Sequence, residues 1–401
     1  MHLTNEQKKA ARAIYSYMMS PTRDYIAVAG YAGTGKTTVM GFTAGELLKR
    51  RPNASIAFTA PTGKAAEVLR QKLMAAHAFG KNCTSSTLHS LLYEPPEKDG
   101  KQLRWTKQKS LDCDVVVVDE ASMVNKELFK DVMSFGKPVV FIGDSGQLPP
   151  VGEDLFVPLQ ETGLVLTEVQ RQALDNPILS LATDIRNGNP LPAPGTKLGE
   201  NVLVLAKKSS AGEMIFDKFL RRVGADDCMA LCFTNMTRVS INMRARSLLG
   251  YEGDLPEPGE RVVCLSNDKQ ARMFNGQTFH VTEAFEHEGM EDLYVIEFDE
   301  RAYKYLGWSG TYNNSSTRSL NLQDIELPMD ISRQMATAGQ RRPLSMDYAY
   351  CMSVHKSQGS EWDNVMLCDD AGYLQREKPD EYRRWLYTGI TRAKNKLIIL
   401  R

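Results

Sequence analysis

The sequence predicts an α/β protein made of two units built on parallel sheets, with a small antiparallel β-barrel inserted into the second unit. Short, uniformly apolar runs such as residues 115–118 and 138–142 are typical of strands buried on both faces of a parallel sheet. Most of these runs lead through a polar turn into a helical pattern, as βα units do. Between about residues 253 and 342 the pattern changes to alternating apolar and polar positions, which favours antiparallel strands.

The composition is that of an ordinary globular protein without a dominant charge. Of the 401 residues, 42% are hydrophobic and 24% are charged, and the formal net charge is zero. A polyanion would therefore have to be bound in a local groove. The seven cysteines are scattered through apolar runs, which indicates reduced thiols in a cytosolic protein. The sequence has no apolar run of membrane-spanning length and no signal-peptide pattern, so we expect a cytoplasmic protein.

The clearest motif lies at residues 26–40, where an apolar run leads through a glycine-rich turn into a helical segment. Gly30, Gly35, Lys36 and Thr37 match G-x-x-x-x-G-K-[ST] in the strand, loop and helix order that a phosphate-binding loop requires. Such a loop turns backbone N–H groups inward at the positive end of the following helix. Lys36 can then contact the β- and γ-phosphates of ATP, and Thr37 can ligate Mg²⁺. The alternative is a chance match in an ordinary turn.

Two acidic residues follow the buried run at residues 115–118 and complete the predicted ATP site. Asp119 and Glu120 should emerge at the carboxyl end of that strand. One carboxylate would hold Mg²⁺ through its water shell, and the other would polarise the attacking water. Gln147 follows the next buried run and would sense the γ-phosphate or its water. Two solvated acids capping a helix are the alternative interpretation.

Two earlier segments have a functional and a structural interpretation. Gln7 lies on a helix ahead of the phosphate loop, where its amide matches the adenine edge or faces solvent. After a second apolar strand, Thr62, Gly63 and Lys64 offer a hydroxyl, an N–H group and an ammonium to a nucleic-acid phosphate. A solvated βα turn explains these residues equally well.

Residues 92–110 predict a hairpin insertion in the first unit, because Asp99-Gly100 is a turn signal between two strand-like segments. Such a small insert has no core of its own and would project from the surface. It is either a decorated loop or, with Trp105, a wedge.

The expected domain limits are 1–160 for the first unit, 161–255 with 345–401 for the second, and 256–344 for the inserted barrel. Residues 303–340 are assigned only as a mixed loop and helical arm. Arg171 and Arg392 fall in loops of the second unit. A γ-phosphate held by one unit can attract an arginine of the other and close the cleft between them. An ordinary surface ion pair is the alternative for either arginine.

The ordered motifs resemble those of superfamily 1 helicases, specifically the RecD/Dda-like 5′→3′ branch. They lie at residues 30–37, 60–64, 87–90, 119–122, 143–150, 353–361 and 387–394, so the resemblance covers essentially the whole chain. The spelling Val-His-Lys-Ser-Gln-Gly-Ser-Glu at 354–361 and the spelling Tyr-Thr-Gly-Ile-Thr-Arg-Ala at 387–393 are highly specific. Because the first motif lies near residue 1, we expect the compact phage Dda type.

The resemblance implies two RecA-like domains, with a strand-separating β-hairpin pin in the first and an SH3-like β-barrel in the second. It implies that Gln7 reads adenine, that Thr37 and Asp119 hold the metal, and that Glu120 activates water. The expected catalytic residues are Lys36, Glu120, Gln147, Arg171 and Arg392. The expected nucleotide contacts are Gln7, Gly30, Gly33, Thr34, Gly35, Lys36, Thr37, Thr38, Asp119 and Glu361, the last near the ribose.

The resemblance also implies a set of DNA contacts. They are Pro61, Thr62, Lys64, Thr87, His89, Trp105, Asn235, His355 and Lys356. We expect His89 and His355 to form hydrogen bonds and to act neither as acids nor as metal ligands. Contacts of this kind are mainly to phosphate with some base stacking, so little sequence preference is expected.

The favoured hypothesis is an ATP- and Mg²⁺-dependent DNA helicase of replication, recombination or repair that moves 5′→3′ on single-stranded DNA. The alternatives are an RNA helicase of the same superfamily and a nucleotide-switched scaffold that binds DNA without unwinding it. Glu120 and two candidate arginine fingers argue against the scaffold. Expected partners are single-stranded and tailed duplex DNA and a single-strand-binding protein or replisome component. We expect a monomer without membrane contact, in the host cytoplasm if a phage encodes it.

Overall fold

The computed structural model divides the chain into two compact units, Met1–Ser180 and Leu181–Arg401. Each unit contains its own sheet of largely parallel strands. The described residues are 3–94, 97–99, 102–104, 106–150, 156–168, 175–266, 268, 271, 273, 275–288, 293–299, 301, 304–309, 312, 329–337, 340 and 343–401.

The first unit is built on a six-stranded sheet in which all neighbouring strands are parallel. The described strands of this unit are β1 (Tyr25–Gly30), β2 (Ile56–Ala60), β3 (Thr84–Thr87), β4 (Glu97–Asp99), β5 (Gln102–Arg104), β6 (Val115–Val118), β7 (Val139–Gly143) and β8 (Val165–Leu166). The order across the sheet is β3-β2-β6-β7-β1-β8. All four valines of β6 are buried, so the prediction of a buried parallel strand is confirmed.

Helices cover both faces of this sheet. They are α1 (Asn5–Met19), α2 (Lys36–Arg50), α3 (Gly63–Ala75), α4 (Leu88–Leu92), α5 (Lys126–Met133) and α6 (Val157–Glu161). One core cluster packs α1 and α2 against the sheet, and a second packs α4 and α5 against the opposite face. α1 begins with a capping box, in which Thr4 and Gln7 each accept a backbone N–H bond from the other.

β4 and β5 form a separate two-stranded antiparallel sheet within residues 92–110, where the sequence predicts a hairpin. Trp105 lies outside the described residues.

β8 places the end of the first unit later than the sequence predicts. This strand pairs with β1, so residues 165 and 166 belong to the first sheet although 160 was the predicted limit. A strand of two residues carries too little pattern to indicate which sheet it joins.

The second unit has a six-stranded sheet in which β9 alone runs antiparallel to its neighbour. The first strands of the unit are β9 (Lys197–Leu198), β10 (Val202–Leu205) and β11 (Cys228–Cys232). After an insertion the sheet is completed by β17 (Cys351–Ser353), β18 (Trp362–Cys368) and β19 (Ala393–Leu400), in the order β17-β11-β18-β19-β10-β9. The remaining described helices are α7 (Pro177–Arg186), α8 (Ser210–Leu220), α9 (Asn235–Leu249), α10 (Met329–Thr337), α11 (Gly372–Glu377) and α12 (Pro379–Ile390).

The insertion is a five-stranded antiparallel sheet. Its strands are β12 (Arg261–Cys264), β13 (Thr278–Glu286), β14 (Leu293–Phe298), β15 (Tyr305–Trp308) and β16 (Met346–Tyr348), in the order β15-β14-β13-β12-β16. The predicted boundary at 344 therefore lies too early, because β16 pairs with β12. Apolar residues of this sheet and of the second parallel sheet form one continuous core cluster.

A buried ion pair connects α9 with the start of the insertion. The guanidinium of Arg246 donates two hydrogen bonds of 2.9 Å to the two carboxylate oxygens of Glu260. The hydroxyl of Tyr350 donates to the same carboxylate at 2.8 Å, and the guanidinium lies 4.2 Å from the ring centre of Tyr348. The Arg246 and Glu260 side chains are 4% and 0% exposed, and a second carboxylate, that of the partly exposed Glu257, lies 3.8 Å from the guanidinium. Removing Glu260 would therefore leave Arg246 without its buried counter-charge.

In the part of the chain that the structure describes, no helix has both the length and the apolar character needed to cross a bilayer. All seven cysteines belong to the described residues and are buried, and none of them forms a disulfide.

The buried pair gives a stability prediction. Replacing Glu260 by Gln should lower the free energy of unfolding of the second unit by about 3 kcal/mol, because Arg246 loses its buried counter-charge and keeps only the longer contact with the partly exposed Glu257. Urea unfolding followed by tryptophan fluorescence measures this, since Trp308, Trp362 and Trp385 all belong to that unit.

Glu283→Gln is the matched control, since Glu283 forms an exposed pair with Lys304 and should tolerate the change. Equal urea midpoints for the two variants would contradict the role given to Glu260.

Candidate nucleotide and nucleic-acid site

The phosphate loop connects Gly30, at the end of β1, with Lys36, at the start of α2. Gly33 and Gly35 have φ values of 75° and 80°, in the left-handed region that favours glycine. Gly35 is the N-cap residue of α2 and offers no side chain that could accept the first N–H groups of the helix. These groups are therefore available to an anion, as the motif predicts.

The ammonium of Lys36 lies inside this loop. It donates hydrogen bonds to the carbonyl oxygens of Gly30 and Tyr31 at 2.8 and 3.2 Å, and it lies 3.9 Å from a carboxylate oxygen of Asp144. The hydroxyl of buried Thr34 donates to the carbonyl of Tyr31 at 2.7 Å. The loop thus holds the ammonium of Lys36 next to the N-terminus of α2.

Gln7 fixes the loop to α1. Its side-chain amide donates to the carbonyl of Thr34 at 2.9 Å, and its amide oxygen accepts the N–H of Thr4 at 3.0 Å. Because the residue is only 1% exposed, the alternative of a solvated helix residue is wrong. Its expected contact with adenine stays a prediction.

The two acidic residues lie at the carboxyl end of β6. The N–H of Asp119 donates to the carbonyl of Thr59 in β2 at 2.8 Å. Burial and the neighbouring charge of Glu120 raise the pKa of Asp119 to about 6. Glu120 has φ 49° and ψ 41°, a left-handed conformation that costs roughly 1 kcal/mol or more for a residue with a side chain.

Three buried side-chain oxygens near this strand end have no hydrogen-bond partner among the described residues. They are Oε2 of Glu120, Oγ of Ser122 and Oε1 of Gln147. The end of β7 packs against the same turn, since a Cβ on Gly143 would lie 2.9 Å from the backbone nitrogens of Ala121 and Ser122. Buried oxygens of this kind normally have partners, and this set suits the water shell of a hydrated Mg²⁺. The residues present therefore fit a nucleotide with its metal ion.

Asp144 belongs to the site although the sequence analysis did not single it out. It is fully buried and accepts the N–H of Gly146 at 2.8 Å and the side-chain amide of Gln147 at 3.4 Å. Its third partner is Lys36, so one carboxylate links the phosphate loop with Gln147. The sequence signal for Asp144 is its position directly after the buried strand β7, just as Asp119 directly follows the buried strand β6.

In the first unit, two of the expected DNA contacts are helix N-caps. Thr62 accepts the N–H of Ala65 at 3.2 Å, and Thr87 accepts the N–H of Ser90 at 3.1 Å. Thr87 pairs in register with Ala60, so both hydroxyls lie at the carboxyl ends of the neighbouring strands β2 and β3, with Pro61 between Ala60 and Thr62. The side chain of Lys64 lies outside what the structure describes.

The second unit repeats this arrangement at its own sheet. Asn235 follows β11 as the first residue of α9, and His355 and Lys356 follow β17, which pairs with β11 in parallel. Desolvation lowers the pKa of His355, and to some extent that of His89 in the first unit, although the His89 side chain is exposed. This direction favours the neutral imidazole, which suits the expected role in hydrogen bonding.

Arg392 lies where α12 gives way to β19. Its guanidinium donates to the carbonyls of Thr388 and Ser360, both at 3.1 Å, and to the hydroxyl of Thr391 at 3.2 Å. The side chain is 4% exposed. The alternative of a surface ion pair is therefore wrong for this arginine.

Glu361 and Arg171 are two further expected nucleotide contacts. Glu361 is exposed, 4.0 Å from the ammonium of Lys394. Arg171 lies outside the described residues, so its expected role stays a prediction. Its predicted assignment to the second unit is wrong, because the first unit extends to Ser180.

Two protein families match the chain. Residues 2–208 match a family described as an AAA domain, and residues 348–400 match one described as a UvrD-like helicase C-terminal domain. These ranges contain the phosphate loop and Arg392, respectively.

Among curated proteins, the chain is similar to the ATP-dependent RecD2 DNA helicase of Deinococcus radiodurans, with 27% identity over 92% of this chain and 46% of that protein. It is also similar to the ATP-dependent DNA helicase dda of Enterobacteria phage T4, with 32% identity over 46% of this chain and 43% of that protein. The RecBCD enzyme subunit RecD of Mycolicibacterium smegmatis is 25% identical over 98% of this chain and 70% of its own length. The chain thus spans less than half of the first two relatives.

Among solved structures, a Bacteroides Pif1 helicase in complex with ADP-AlF3 and single-stranded DNA shares the fold. Its TM-score is 0.54 at 19% identity, with 100% of this chain and 92% of that chain covered. A structure of two Pif1 helicases at forked double-stranded DNA gives a TM-score of 0.53 at 18% identity over the same shares.

The geometry of the phosphate loop gives a prediction for hydrolysis. Lys36→Ala should lower ATP turnover by about 10²–10³-fold, because the preorganised ammonium inside the loop is lost. A steady-state phosphate-release assay measures this, and the thermal unfolding midpoint shows whether the fold is retained.

Lys49→Ala, on the exposed face of the same helix, is the matched control and should turn over normally. Wild-type turnover in the Lys36 variant would remove the assigned ATP site.

Proposed function

The chain belongs to the AAA domain family that its first half matches, within the superfamily 1 helicases of the RecD and Dda type, and from this premise we propose its activity. We propose an ATP-dependent DNA helicase that moves 5′→3′ on single-stranded DNA and separates duplex ahead of it. Replication, recombination and repair are the processes in which such an enzyme would act.

One observation carries this proposal. The hydrogen bond from the N–H of Asp119 to the carbonyl of Thr59 joins the metal-binding end of β6 to β2. Pro61 and Thr62, two of the proposed DNA contacts, follow β2 directly. A structural change caused by ATP hydrolysis at the end of β6 would therefore reach the DNA contacts through the neighbouring strand β2. A DNA motor requires such a coupling between its nucleotide site and its DNA site.

The residues of the first unit have distinct parts in the proposed hydrolysis. Bound ATP with Mg²⁺ would supply the phosphoanhydride bond and the cation that neutralises its oxygens. Lys36 and the N-terminal N–H groups of α2 would hold the phosphates, while Thr37 and Asp119 would ligate the metal. Glu120, whose Oε2 is buried and without a partner among the described residues, would accept the proton of the attacking water. Asp144 would hold Lys36 and Gln147 in place.

Three contributions of the remaining chain belong to the same proposal. Arg392, held by carbonyls of its own unit, would contact the γ-phosphate from the second unit. Arg171, which falls within the range of the first unit, would contact it as well, with Glu361 near the ribose. β4 and β5 would form the pin with Trp105, and the five-stranded sheet would be the SH3-like barrel. We further propose a cytoplasmic monomer that works with a single-strand-binding protein or a replisome component.

DNA is the proposed polymer because the named relatives RecD2 and dda are DNA helicases. The scaffold alternative is less well supported, since a switch has little need of Glu120 and two arginines.

Tailed duplexes test the function. The protein should unwind a duplex with a 5′ single-stranded tail and leave 3′-tailed and blunt duplexes intact, in an ATP-dependent strand-displacement assay. A 5′-tailed RNA duplex of the same sequence should be a poorer substrate.

Glu120→Gln serves as the control, because it should bind ATP and DNA and unwind nothing. Unwinding from 3′ tails alone would overturn the polarity, and DNA-stimulated hydrolysis without any strand displacement would favour the scaffold.

A further inference from the structure

The base of the hairpin in residues 92–110 is a well-defined ladder of backbone hydrogen bonds. The N–H of Glu94 donates to the carbonyl of Thr106, and the N–H of Gln108 donates to that of Leu92, both at 2.8 Å. Between these bonds, Tyr93 and Lys107 face each other as an antiparallel pair. These bonds hold the two strands of the base side by side.

Both members of that pair are bound by one carboxylate of α5. The hydroxyl of Tyr93 donates to one oxygen of Asp131, and the ammonium of Lys107 donates to the other at 2.8 Å. Lys107 also donates to the hydroxyl of Ser134 at 3.0 Å. The bonds from Lys107 and Tyr93 lower the pKa of Asp131, so the carboxylate is ionised at neutral pH. We call Tyr93, Lys107 and Asp131 the hairpin anchor.

The hairpin anchor is connected to both expected sites of the first unit. α5 is held in the core by Leu128 and Val132, and it follows the turn that carries Glu120 and Ser122. On the other side, the ring of Tyr93 packs 5.7 Å from that of His89, an expected DNA contact. A force on the hairpin would therefore be transmitted to the first parallel sheet through the hairpin anchor.

We propose that Asp131 is a positioning residue that fixes the base of the hairpin, so that forward movement of the protein is converted into separation of the duplex strands. This inference rests on the proposed helicase function. A two-stranded hairpin is marginally stable by itself, and without the anchor it would bend away from the duplex. Neither ATP hydrolysis nor movement along single-stranded DNA requires the hairpin to resist a load.

The test separates unwinding from hydrolysis in one variant. Asp131→Asn should lower single-turnover unwinding of a 5′-tailed duplex roughly tenfold, as expected when hydrogen bonds to a charged group are weakened. Its ATP turnover at saturating single-stranded DNA and its half-saturating DNA concentration should stay at the wild-type values. Tyr93→Phe, which keeps the ring against His89 and removes one bond to Asp131, should have a smaller effect in the same direction.

Asp217→Asn is the matched control, since it removes a comparable partly exposed ion pair, with Arg244, in the second unit. It should unwind normally. The double variant Asp131→Lys with Lys107→Asp restores an ion pair across the same gap and should recover part of the unwinding rate.

Wild-type unwinding by Asp131→Asn would overturn the inference, and so would an equal loss of hydrolysis and unwinding. If the wild-type protein hydrolyses no ATP in response to DNA, the helicase proposal itself fails, which is a separate result.

Discussion

The shared direction of the strands in the first sheet is the constraint on which the other features depend. Because β1, β2, β3, β6 and β7 all run parallel, the residues that follow them meet at one edge. The phosphate loop, the carboxylates of residues 119–120 and the turn with Gln147 follow the strands at the centre and on one side. The threonines at 62 and 87 follow the two strands on the other side. Chemistry and polymer contact are thus neighbours because of the strand order.

The charges at this edge explain why a metal ion suits the site. Lys36 is accompanied by three carboxylates, those of Asp119, Glu120 and Asp144, and only Asp144 lies within ion-pair distance of it. The raised pKa of Asp119 is the consequence of placing it beside Glu120 in the interior. A divalent cation would balance these carboxylates before the phosphates add their own negative charge. The loop is therefore matched to a nucleotide that arrives with its metal.

The order of motifs allowed the parallel architecture, the phosphate loop and the family resemblance to be predicted, and the matches confirm that resemblance. These features depend on local patterns, a buried strand followed by a polar turn. The structure corrected what depends on long-range pairing. β8 and β16 are too short to reveal which sheet they join, so both domain limits were placed too early. The partners of Asp144, Arg246 and Asp131 are distant or weakly patterned in sequence, and no spacing rule identifies them.

The left-handed backbone of Glu120 has a wider consequence. The fold holds an unfavourable conformation at the residue proposed to activate water, and a glycine or an asparagine would adopt it more easily. Selection for stability and selection for ATP turnover therefore favour different residues at position 120. A selection for heat-resistant variants would therefore favour substitutions of Glu120, and we expect those variants to be stable and inactive.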